Sequence, residues 1–154
     1  MVGKRLSKSK QRFIEDIVRL LVPWGVPQTA ARIHGYLLLS AEPATLDRIA
    51  TDLEVSKSGT SVAARLLEKY GLAVRHSERG SKRIRYEVSR NYESMLIEQC
   101  RMLENTATLL KRGADTVTSG KARERLGEMT EFYLAIGHAM DAALQSWRTR
   151  KHDQ

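Results

Sequence analysis

The chain has 154 residues, 42% of them apolar, which is enough for a packed core and excludes wholesale disorder. Its formal net charge of +8 is carried entirely by residues 1–90, with 17 Lys/Arg against 9 Asp/Glu, while residues 91–154 hold 9 of each. A solubility charge would be spread evenly, so a basic part joined to a neutral part points to a polyanion-binding module on a neutral scaffold.

Residues 10–22 carry Phe13, Ile14, Ile17, Val18 and Leu21 at helical spacing. Pro23-Trp24-Gly25-Val26-Pro27 stops that helix, and Pro27 can open the next. The second helix reaches Leu39 and is apolar on more than one face, so it should be central. After a loop over residues 40–43, Thr45 reads as the N-cap of a short helix with Leu46, Ile49, Ala50 and Leu53 inward. Glu54-Val55-Ser56 is a tight connection, and Ser56 should cap a helix over residues 57–70. Val62, Ala63, Leu66, Leu67 and Tyr70 are its expected buried stripe, with Gly71 as the stop. Residues 72–76 and 84–88 then alternate apolar and polar as two strands, joined by the polar tip 77–83.

From Tyr92 the chain is helical again. Tyr92, Leu96, Gln99, Leu103, Thr106, Leu110 and Gly113 recur at gaps of four and three, with Met95, Met102 and Leu109 beside them. A break is expected at Thr118-Ser119-Gly120. The same rhythm then returns in Ala122, Leu126, Met129, Tyr133, Ile136, Met140, Ala143 and Trp147, a helix of about 45 Å at 1.5 Å per residue. So long a helix exceeds what a small domain needs, which favours packing on a second copy over an internal helical hairpin. The expected fold is mainly α with a small β-hairpin. It divides into an N-terminal arm and dimerisation helix (1–26), a winged helix-turn-helix domain (27–90) and a helical dimerisation region (91–154).

The segment 45–70 carries the function. A short helix, a turn and a second helix form the helix-turn-helix plan, whose second helix reads the DNA major groove. The free face of that helix should offer Ser56, Lys57, Ser58, Gly59, Thr60, Ser61 and Arg65. Small and hydroxylic residues let a helix end sink into a groove about 12 Å wide, and a surface helix selected for stability alone would favour better helix formers. The hairpin adds Arg79, Gly80, Ser81, Lys82, Arg83 and Arg85, a basic tip able to lie on phosphates or enter the minor groove.

The run ARIHGYLLLSAEPATLDRIATDLEVSKSGTSVAARLLEKYGLAVRHSERGSKRIRYEVS resembles the winged-helix MarR superfamily. It is most similar to the GbsR-like branch, through "LLLS-x-x-P", "L-D-x-I-A-x-x-L-x-V-S-K" and "R-x-L-x-x-x-G-L". The resemblance covers about residues 12–90, and the helical tail agrees in architecture only. It implies a homodimeric transcriptional regulator, usually a repressor, on a pseudo-palindromic operator in double-stranded DNA. It also implies a dimer built by the first and last helices. Many MarR wings carry Asp-x-Arg where this chain has Glu78-Arg79-Gly80-Ser81-Lys82-Arg83, so Arg83 is the first choice for the minor groove and Arg79 the second.

The resemblance further implies a small-molecule effector, with choline-type ligands associated with the GbsR-like branch. A quaternary ammonium needs an aromatic cage, for which Trp24, Tyr36, Phe132 and Tyr133 are the candidates, with Trp147 behind them. Core packing accounts for most of these aromatics equally well. Cys100 is the one cysteine, which excludes an intrachain disulfide and fits a reducing cytoplasm. Arg101 is adjacent in sequence, but neighbours on a helix do not face each other, so an idle or packed thiol is favoured over a redox sensor. The four histidines show no metal-ligand spacing, and no catalytic motif is present, so neither a cofactor nor an enzyme is expected. No apolar run is long enough to span a membrane, and the basic N-terminus lacks a signal peptide's apolar core, so a cytoplasmic protein is expected. The alternatives are an architectural DNA-binding protein of low specificity and a protein-interaction module; the charge split argues against the second.

Overall fold

The computed structural model describes residues 5–116 and 120–154. They fall into two compact units that meet in sequence at Tyr92 and Glu93.

In the first unit, Ser7 caps α1 (Lys8–Leu21) by accepting a hydrogen bond from the Lys10 amide. Ile14 and Val18 are the buried positions of this helix. A 3-10 turn over Val22–Trp24 ends at Gly25, and Pro27 caps α2 (Gln28–Leu38) as expected. Six of the eleven residues of α2 are buried, which makes it the central helix. Thr45 caps α3 (Leu46–Leu53), its hydroxyl accepting from the Arg48 amide, and Ser56 caps α4 (Lys57–Lys69). The core joins Ile14, Ile33, Leu37, Ile49, Leu53, Ala64, Leu67 and Tyr86. Each large apolar side chain buried there is worth about 1.5–3 kcal/mol.

The sheet has one strand more than the sequence implies. β2 (Ala73–Ser77) and β3 (Ile84–Val88) form the expected antiparallel hairpin. β1 (Ala44–Thr45) adds to the free edge of β3, giving the order β1-β3-β2, with Ala44 opposite Tyr86 and Thr45 opposite Arg85. Two residues are too short to show alternation, so this strand left no pattern to read. It ties the start of α3 to the hairpin. The result is a winged helix-turn-helix.

The second unit is a pair of helices, α5 (Glu93–Thr116) and α6 (Lys121–His152). Thr118 and Ser119 of the expected break lie outside the described residues; Gly120, at φ 88, precedes α6. α6 has 32 residues and is about 48 Å long. Ala107 on α5 and Thr130, Gly137 and Leu144 on α6 are the buried positions. They mark where the two helices meet, and small residues there let the backbones come close. The Arg148 guanidinium holds the Glu93 carboxylate at 2.8 Å, fastening the end of α6 to the start of α5. The expected α6 seam is therefore split. Leu126, Tyr133 and Met140 are partly buried, whereas Met129, Ile136 and Trp147 lie on the open side.

Candidate nucleic-acid interface

Helix α4 begins in a close cap. The Ser56 hydroxyl accepts from the Gly59 amide at 3.1 Å, and a Cβ at Gly59 would stand 2.9 Å from that oxygen. Glycine at 59 thus keeps the helix start compact. The buried side of α4 is Thr60, Ala63, Ala64 and Leu67. This corrects the expected stripe by a fraction of a turn. Thr60, placed on the open face from sequence, is 0% exposed and donates its hydroxyl to the Ser56 carbonyl at 2.8 Å. Val62 and Tyr70, placed inside, are 71% and 41% exposed. Apolarity misled here: the methyl of a threonine packs once its hydroxyl is satisfied within the helix, and Val62 is left outside. The open ridge is Lys57, Ser58, Val62 and Arg65, with Ser61 half-buried between them. Val62 is the residue that sequence reasoning missed; its methyls suit contact with a thymine methyl in the major groove.

The hairpin tip is a turn in which the Ser81 amide donates to the Glu78 carbonyl at 3.1 Å. Gly80 takes φ 80, a conformation that strains other residues. The Ser81 hydroxyl accepts from the Arg83 amide, stiffening the descent from the tip. Arg79, Lys82 and Arg83 are exposed. Arg85 stands apart from them. It lies on β3 opposite Thr45, 3.9 Å from the Glu78 carboxylate, and is half-buried.

Between the start of α4 and the wing lies a cleft of about 350 Å³ lined by Thr45, Leu46, Asp47, Lys57, Lys82, Arg83 and Ile84. The expected contacts Lys57, Lys82 and Arg83 thus come from two elements to one place. Asp47 is there too, its carboxylate 2.9 Å from the Lys57 ammonium.

A second, larger cavity of about 680 Å³ lies within the same unit, among the start of α1, the end of α2, the 40–43 loop, β1 and α3. Its walls include Arg5, Lys10, Arg48 and Arg85, with Glu42 and Asp52 as the carboxylates. Tyr36 donates its phenol to Asp52 at 2.7 Å, and Arg48 donates to the same oxygen at 3.2 Å. Burial, and then the Asp52 carboxylate, push the Tyr36 phenol up to about 12. Of the aromatic candidates, Tyr36 lines this cavity, whereas Trp24 is 83% exposed. Phe132 and Tyr133 belong to the second unit, where their rings meet edge to face at 5.5 Å. A one-ring wall is not a cage.

Cys100 is half-buried on α5. Burial lowers the affinity of His34 for a proton. Among the described residues no three His, Cys, Asp or Glu side chains come together as metal ligands, and no helix is long and apolar enough to cross a membrane.

No family model matches the chain. It is 26% identical over 92 residues to YvaV of Bacillus subtilis (strain 168), provisionally named an HTH-type transcriptional regulator. It is 24% identical over 92 residues to the HTH-type transcriptional repressor OpcR of the same organism. Each alignment covers 60% of this chain but 52% and 50% of the relative, so the chain spans about half the length of these curated relatives. The fold is similar to a crystal structure of a transcriptional regulator, with a TM-score of 0.78 at 22% identity, covering 92% of this chain and 99% of that one.

Proposed function

We propose that the chain is a sequence-specific DNA-binding transcriptional regulator of the MarR superfamily, nearest its GbsR-like branch, acting as a homodimeric repressor. The observation that carries this reading is one compact unit holding both an open helix ridge of hydroxyls and cations and a basic wing tip. Ser58, Ser61, Val62 and Arg65 enter the major groove, Lys57 at the start of α4 meets a backbone phosphate, and Arg83 or Arg79 lies on the backbone or in the minor groove. Likeness to a protein named a repressor supports the direction of control. The relatives are named regulators, and the chain is not an enzyme.

Dimerisation is supported by the second unit, where Met102, Leu109 and Phe132 are 69%, 65% and 61% exposed on helices that already contact each other. The ligand response is assigned to the larger cavity. Its four cations against two carboxylates favour a small anion over the quaternary ammonium that the family resemblance implies. Arg48 on α3 and Arg85 on β3 both line it, so an occupant touches the reading helices and the wing together.

Selection of bound duplexes from a random pool tests the whole reading. The expected outcome is a two-fold symmetric site whose half-sites lie about one helical turn apart. Retention of DNA with no enriched sequence would replace the repressor by an architectural protein.

A further inference from the structure

The cleft between α4 and the wing gathers three cations, Lys57, Lys82 and Arg83, around one carboxylate, Asp47. A carboxylate is out of place on a surface that meets phosphates, since it repels them. Asp47 sits in the first turn of α3, where an acid favours the helix dipole, but Thr45 already caps that helix. What singles Asp47 out is its reach into another element: it holds the ammonium of Lys57, the first residue of α4, at 2.9 Å. Both side chains are more than 70% exposed, so the pair is weak and exchanges readily.

We propose that Asp47 restrains DNA binding by holding Lys57 until a backbone phosphate in the cleft takes its place. This rests on the DNA-binding reading above. In the free protein Lys57 is neutralised from within, leaving Lys82 and Arg83 to meet the phosphate first. When Lys57 turns to the phosphate, Asp47 is released and recruits a cation from solution. That uptake offsets one of the counterions that the DNA sheds. The restraint applies to any duplex, so it lowers non-specific affinity and leaves discrimination to the base contacts of the α4 ridge.

The test uses the full chain and a labelled random-sequence duplex, with affinity followed across a salt series. Asp47→Asn should tighten binding roughly two- to fivefold at low salt and steepen the salt dependence by up to about one unit of slope. Asp47→Glu should restore wild-type behaviour. In a Lys57→Met background, Asp47→Asn should tighten binding and steepen the slope less than it does with Lys57 present, leaving only the direct repulsion of phosphate by the carboxylate. Circular dichroism and thermal melting of each variant separate a DNA effect from loss of the fold. The restraint is overturned if Asp47→Asn leaves binding unchanged or weaker in a folded protein. It is equally overturned if the tightening is the same with and without Lys57, because Asp47 then acts by simple repulsion. A wild-type chain that binds no duplex at low salt overturns the DNA-binding reading itself, a result distinct from both.

Discussion

In the first unit Ile33, Leu37, Ile49, Leu67 and Tyr86 are the largest fully buried apolar side chains among the described residues. In the second unit the buried positions are Ala107, Thr130, Gly137 and Leu144, while Met102, Leu109 and Phe132 stand open. The first unit surrounds α2 with helices and a sheet, which enclose its buried side chains on several sides, while Leu20, Trp24 and Val62 remain exposed at its surface. Two helices have only one shared line of contact, and an apolar stripe on the far side of either is left over. Charge divides along nearly the same boundary, with the excess of +8 in residues 1–90 and none in residues 91–154. Under the proposed function, the basic unit reads the polyanion and the neutral one pairs with its copy.

The contrast predicts different responses to mutation. The largest effect is expected at Leu67, which is 0% exposed in the core beneath the α4 ridge. Leu67→Ala should cost about 2–5 kcal/mol in urea unfolding, at every protein concentration. If the loss instead varied with concentration, the first unit would not be self-sufficient. Next comes the open stripe of α6. Changing Met129 and Phe132 together to Glu should raise the self-dissociation constant roughly thirtyfold or more, as read by sedimentation. A variant that sediments as the wild type would remove the dimer from this stripe.

A smaller effect separates the two units by charge. Arg83→Ala should weaken duplex binding about tenfold and lower the salt slope by about one unit. Arg123→Ala, on exposed α6, should change neither. Equal losses from both would erase the division. The smallest effect concerns the network behind α3. Tyr36→Phe should cost about 0.5–1.5 kcal/mol. Because the folded phenol titrates at about 12 against 10.0 when unfolded, its contribution is full below pH 10 and is lost as pH rises through about 12. Unfolding curves of the Phe variant should lack that alkaline loss.

Much of the fold was legible because its punctuation is chemical. Thr45, Ser56 and Pro27 announce helix starts, and all three stand at N-cap positions in the structure, Thr45 and Ser56 by accepting an amide of the first turn and Pro27 without a side-chain bond. The winged arrangement and the long last helix follow from changes in apolar period. What the sequence concealed was phase and pairing. The α4 stripe was turned because Thr60 buries a methyl and satisfies its own hydroxyl at Ser56, which polarity counting records as an outward residue. β1 was hidden because two residues make no pattern. At the candidate interface the cations were legible as a cluster. Their division was not: Lys82 and Arg83 face the cleft with Lys57, whereas Arg85 lines the other cavity. That depends on strand pairing, with Arg85 opposite Thr45. The pairing of Asp47 with these cations was hidden as well, because Lys57 lies ten positions further along the chain.

The central claim is that the first unit alone touches DNA. Backbone amide resonances of the full-length protein, followed during titration with a duplex, test it residue by residue. Shifts concentrated at Lys57, Ser58, Val62, Arg65 and the Arg79–Arg83 tip, with the Arg123 and Arg125 region of α6 unmoved at the lowest DNA ratios, are the predicted result. Shifts centred on α5 and α6, with the α4 ridge and the wing silent, would contradict it.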